Sequence, residues 1–89
     1  MRYKQFIISG KVQGTGFREF VRKKSTDLFG YVKNLKNGDV EVIVRGNEKK
    51  IEELLKNCRK GPFLASVKNV KLNEIEIDEE YDSFFLKFS

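Results

Sequence analysis

The chain has 89 residues, a net charge of +5 at neutral pH, one cysteine and no histidine. At 39% hydrophobic and 35% charged residues, its composition is that of a globular domain and excludes a disordered one. The missing histidines and the single Cys58 exclude Ser-His and Cys-His nucleophile pairs, thiolate-rich zinc sites and an internal disulfide framework.

Tyr3 to Val12, with Phe6, Ile7 and Ile8, reads as a strand that runs into a glycine-punctuated loop from Gly10 to Gly16. Phe17, Phe20, Val21 and Leu28 then share one helical face, and Gly30 is read as the C-cap of that helix. Tyr31 to Leu35 is a short strand, and the Asn37-Gly38 pair marks a tight hairpin. Val40, Val42 and Val44 alternate with Glu41, Ile43 and Arg45, a strand with one apolar face. Asn47 caps a second helix whose core face is Ile51, Leu54, Leu55 and Cys58, closed by Gly61-Pro62. Val67 to Ile77 supplies a fourth strand. Phe84 to Phe88 is a terminal strand with Phe84, Leu86 and Phe88 on one face.

The order β-α-β-β-α-β with a terminal extension predicts an α+β, ferredoxin-like sandwich, an antiparallel sheet with two helices on one face. Residues 1–89 are expected to form one domain. No apolar run approaches the roughly 18 residues of a membrane span, and the N-terminus lacks the apolar core of a signal peptide. With the lone cysteine, these features predict a cytoplasmic protein that does not engage membranes. A monomer is the default for so small a domain.

The chemistry is concentrated in two stretches. Gly10-Lys11-Val12-Gln13-Gly14-Thr15-Gly16-Phe17-Arg18 can aim several backbone N–H groups at one anion, with a permanent positive charge behind them. Without an anion, Arg18 in a helix's first turn would sit unfavourably against the helix dipole. Gly30-Tyr31-Val32-Lys33-Asn34 ends on an amide able both to donate and to accept hydrogen bonds. Other tempting residues have plainer readings. Asn37 suits the left-handed backbone of an Asn-Gly hairpin, and Cys58 is a small core residue. Arg22, Lys23 and Lys24 form a solvated helix face. The acidic run Glu74 to Asp82 is too loosely spaced for a calcium loop, and the eight phenylalanines are expected to fill the core.

Taken together these motifs resemble the acylphosphatase family, whose pattern is G-x-V-Q-G-V-x-F-R, then G-W-V-x-N, then a D/N-G turn into a valine-containing strand. Asn37-Gly38-Asp39-Val40-Glu41 meets the turn, and Gly46, Gly61-Pro62, Ala65 and Val67 fit the downstream pattern, so the likeness spans nearly the whole chain. Thr15 stands where valine is usual, and Tyr31 where tryptophan is common. The stretch between Arg18 and Gly30 is two residues shorter than usual, a loss the connecting loop is expected to absorb. The resemblance implies hydrolysis of acylphosphates without metal or cofactor. It implies a phosphate cradle of Gln13, Gly14, Thr15, Gly16, Phe17 and Arg18, with Arg18 pairing the phosphoryl oxygens and Asn34 orienting the attacking water.

The alternatives are a catalytically idle phosphate-binding or regulatory domain of the same family, and a nucleic-acid-binding module of the same topology. The second needs a basic-aromatic run on the third strand, where this chain has Asp39-Val40-Glu41-Val42-Ile43-Val44-Arg45. No nucleic acid is therefore expected as a partner. A copper-chaperone-like domain fails for want of C-x-x-C.

Overall fold

A computed structural model describes residues 1–88. Five strands form one sheet in the order β4-β1-β3-β2-β5, with β1 (Arg2–Lys11), β2 (Phe29–Asn34), β3 (Val40–Arg45), β4 (Ser66–Glu76) and β5 (Phe84–Leu86). Two helices, α1 (Phe17–Lys23) and α2 (Glu48–Lys60), interrupt them in the order expected. β1 lies antiparallel to β3 and β4, and β2 antiparallel to β3. The fifth strand departs from expectation: β5 pairs parallel with β2, Tyr31 opposite Phe85, so the sheet is mixed. β4 and β5 lie at opposite edges of the sheet, and residues 77–83 carry the chain across its face from one to the other.

The main core lies between the sheet and the helices. Phe6, Ile8, Val32, Val40, Val42 and Val44 point into it from the strands, met by Phe17 and Val21 of α1 and Ile51, Leu54 and Cys58 of α2. Burying each such side chain contributes about 1.5–3 kcal/mol. Asn47 caps α2 as its sequence position predicts, its Oδ1 accepting from the Lys50 amide at 3.1 Å.

α1 is shorter than its apolar spacing suggested. It ends at Lys23, because Ser25 turns its hydroxyl back onto the Val21 carbonyl at 2.7 Å and Asp27 adopts a left-handed φ of 64°. Ser, Thr and Asp offer the backbone local bonds that compete with the helix. Leu28 still reaches the core, but from the turn that follows.

Gly30 is accordingly not a helix cap. It lies inside β2 at φ +140°, where an added Cβ would stand 1.8 Å from the Ile43 carbonyl oxygen. That oxygen belongs to the neighbouring strand and cannot move aside. Gly30→Ala is expected to lose about 3 kcal/mol or more of stability, or to fail to fold, as read by chemical denaturation. A loss under about 1 kcal/mol would refute the close approach.

The hairpin also differs in detail. The positive φ falls on Gly38 (98°), while Asn37 holds the turn with its side chain, its Oδ1 accepting from the Asp39 amide at 3.0 Å. Asn37 is thus spent on the turn, though not through a left-handed backbone.

The face of the sheet away from the helices carries a second, smaller core. Tyr3, Tyr31 and Ile43 are buried there under the connection from β4 to β5, with Ile75, Ile77, Tyr81 and Phe85 packed around them. Tyr81 meets Tyr3, Tyr31 and Phe85 edge-on at centroid distances of 5.8, 5.7 and 5.4 Å. Arg45 fastens this connection, donating to the Tyr81 carbonyl at 2.7 Å while its guanidinium lies over the Phe29 ring. Two carboxylates of the acidic run are engaged at the edge, Glu74 by Arg2 and Glu76 by the N-terminal amine. The phenylalanines do not all fill the core: Phe63 is fully exposed and Phe88 is 71% exposed.

Two buried acids link the packing to pH. Burial pushes the Cys58 thiol up to about 12. It is the main cause that pushes the Tyr31 phenol to about 12 as well, with the Glu41 carboxylate second. Both groups keep protons in the folded state that the unfolded chain releases. Their contribution is therefore complete below the unfolded values of about 9 and 10 and is lost as pH rises towards 12. Unfolding midpoints are expected to fall steadily across that interval. Cys58 should react with a thiol reagent at pH 8 only as fast as the chain unfolds. A native-state reaction at the rate of a free thiol would contradict its burial.

Candidate active site

β1 delivers the chain to a loop at the edge of the core. Val12 is buried, and Gly14 and Gly16 follow in left-handed conformations, φ 73° and 79°, that turn the loop sharply into α1. Two side chains brace the loop. Thr15 donates its buried hydroxyl to the Val12 carbonyl at 2.9 Å, which closes the turn on itself. Gln13 reaches across to the hairpin, its Nε2 donating to the Leu35 and Asp39 carbonyls at 2.8 and 2.9 Å. Phe17 turns its ring inward and meets Phe20 edge-on.

With these side chains occupied, what the loop presents outward is backbone. Among the described residues, no hydrogen bond occupies the amide N–H groups from Gln13 to Arg18. Gly16 precedes α1 without a side-chain cap. Free, oriented amides are donors without acceptors, which an anion satisfies.

The loop forms one wall of a cavity of about 180 Å³. Gly14, Gly16, Phe17 and Arg18 line it together with Val12, Asn34 and Leu86. Arg18 and Asn34 therefore face the same small space. Asn34 gets there as the last residue of β2, paired with Val40 across the hairpin that Gln13 ties to the loop. The connection before Gly30 turns at residues 25–28, and Asn34 at the far end of β2 lines the cavity together with Arg18. Gln13 and Thr15 belong to the loop, but their side chains support it and do not line the cavity.

Glu19 also lines the cavity, a residue the sequence reading passed over. A bare carboxylate would repel an incoming anion and compete for Arg18. Arg22, one helical turn on, prevents both by gripping both Glu19 oxygens, with Nε–Oε2 at 2.9 Å. That bond is the main cause holding the Glu19 carboxyl below its ordinary range. The i, i+3 spacing was the signal available in the sequence. Arg22 is thus an ion-pair partner as well as part of a solvated face. Among the described residues Arg18 has no ion-pair partner. Its guanidinium lies 4.8 Å from the centroid of the Phe88 ring.

A cavity of this size falls below the roughly 300–1,000 Å³ typical of drug-sized ligand sites. It suits a small anionic group with the rest of its molecule outside. A wider surface cavity of about 450 Å³ between the end of α1 and the start of β5 carries both signs of charge, Asp27 and Asp82 beside Arg22 and Lys23.

Comparison with known proteins agrees with this geometry. The family model described as Acylphosphatase matches residues 4–86. The acylphosphatase of Vibrio vulnificus is 45% identical over 86 residues, covering 94% of each chain. Among solved structures, an acylphosphatase from Coxiella burnetii superposes with a TM-score of 0.84 at 42% identity, covering 97% of this chain and 93% of that one. The acylphosphatase from Bacillus subtilis gives a TM-score of 0.90 at 29% identity, covering 99% of this chain and all of its own. Likeness of this extent, in sequence and in fold together, makes the chain a member of the acylphosphatase family.

Proposed function

We propose that the chain hydrolyses the carboxyl–phosphate bond of acylphosphates to carboxylate and inorganic phosphate, with Arg18 and Asn34 as its working side chains. The observation that carries this reading is their meeting in one small cavity, beside a loop whose amides have no other acceptor.

An acylphosphate is already activated, because a carboxylate is a good leaving group. The site has to hold the phosphoryl group, place a water in line and stabilise charge on the equatorial oxygens. The amides of Gln13, Gly14, Thr15, Gly16, Phe17 and Arg18 cradle those oxygens. The Arg18 guanidinium pairs two of them side by side, a geometry a lysine ammonium cannot reproduce. Asn34 accepts a hydrogen bond from the attacking water through its amide oxygen and so fixes the line of approach. Neither residue needs to gain or lose a proton. The acyl part lies outside the cavity, so the site reads the phosphoryl group and little else.

The remaining features fit a small-molecule enzyme working alone. The aromatic residues on the back of the sheet are covered by the β4–β5 connection, which argues against a base-stacking surface for nucleic acid. Among the described residues no helix is long and apolar enough to cross a membrane. A monomer in the cytoplasm is the reading these features and the single cysteine support.

The test is hydrolysis of benzoyl phosphate by the purified protein with a chelator present. Turnover establishes an acylphosphatase that works without a metal. A folded protein that binds phosphate but does not turn over would favour the idle relative.

A further inference from the structure

We propose that Phe88 is a positioning residue for Arg18, holding the guanidinium flat against its ring so that the N–H edge stays turned to the phosphate; this rests on the reading of Arg18 as the phosphoryl ligand. Phe88 follows β5 and is 71% exposed, so core packing does not explain an aromatic residue there. Among the described residues its cation contact is with Arg18, 4.8 Å from ring centroid to Cζ.

The geometry matters because arginine has a flexible stem and two kinds of surface. A carboxylate partner would hold it through the N–H groups, which the substrate needs. A ring holds it through the flat face and leaves all five N–H groups at the edge available. Among the described residues the carboxylate that lines the cavity with Arg18, Glu19, is already taken by Arg22. Phe88 is itself anchored. Leu86 pairs with Val32, and the Lys87 amide donates to the Val32 carbonyl at 2.9 Å. Val32 is two residues before Asn34 on β2, so one strand holds both the water-orienting amide and the backbone that presents the ring.

The experiment compares Phe88→Leu, Phe88→Tyr and Phe88→Trp with the parent protein and with Arg18→Ala. It measures inhibition by inorganic phosphate, KM and kcat on benzoyl phosphate, and Tm. Phe88→Leu keeps an apolar side chain but loses the ring face. Its Ki for phosphate and its KM are expected to rise about two- to fivefold, the range for an exposed cation–π contact, with kcat little changed. Tyr and Trp should restore the parent values. A Leu variant with the parent's Ki and KM overturns the proposal, as does a lowered Tm with unchanged Ki, which would mean a purely structural role. If Arg18→Ala itself leaves phosphate inhibition intact, the reading of Arg18 fails and the proposal falls with it. If Arg18→Ala abolishes inhibition while Phe88→Leu matches the parent, the role of Phe88 alone is lost.

Discussion

Replacing Arg18 with alanine is expected to remove nearly all affinity for inorganic phosphate and to lower kcat/KM on benzoyl phosphate by about a thousandfold. Among the described residues the guanidinium is the only cation lining the cavity, and the carboxylate beside it, Glu19, is held by Arg22. Without Arg18 the amides of the loop would face the phosphoryl group with no full positive charge behind them. Arg18→Lys should recover only a small part of the loss, because an ammonium group restores the charge without the planar pair of donors. The loop itself is braced by Gln13 and Thr15 and does not depend on Arg18, so both variants should fold and melt close to the parent. Phosphate inhibition persisting unchanged in Arg18→Ala would remove Arg18 from the site.

Asn34→Ala should separate chemistry from binding. Turnover is expected to fall by about a hundred- to a thousandfold while phosphate inhibits nearly as before, because the role proposed for the amide is to hold the water and not the phosphoryl oxygens. Its backbone remains paired with Val40, so the strand end is preserved. Asn34→Asp makes an instructive contrast. It retains an oxygen that could accept from water but adds a negative charge to a cavity meant for an anion, and should therefore weaken phosphate binding as well. Strong residual hydrolysis in Asn34→Ala would remove its proposed role.

The glycine-punctuated loop was readable because Gly14 and Gly16 supply its backbone turns locally and Arg18 follows at once. The cap on α2 and its apolar face were readable for the same reason, since both depend on residues at most a few turns apart. The tie from Gln13 across to the Leu35 and Asp39 carbonyls of the hairpin was not. The end of α1 differs from its apolar spacing because the Ser25 hydroxyl bonds back to the Val21 carbonyl and Asp27 takes a left-handed backbone, so the helix stops at Lys23, five residues before Leu28. Gly30 was recognised as a special position, but as a cap. Its actual reason is the Ile43 carbonyl of a neighbouring strand, which no local pattern reveals.

By itself the sequence determined the element order, the residues of the main core and the family, and it singled out the glycine-punctuated loop and the two side chains proposed for the chemistry. Each follows from periodicity, glycine placement or the ordered family motif, and none requires knowing how strands pair. Only the tertiary structure decided that β5 runs parallel to β2, that the back of the sheet is a second core under Tyr81, and that the Phe88 ring lies against Arg18. The physical reason is the same in each case. A long connection between β4 and β5 returns the chain end to the strand that carries Asn34, and contacts between residues so far apart in sequence leave no periodic trace along it.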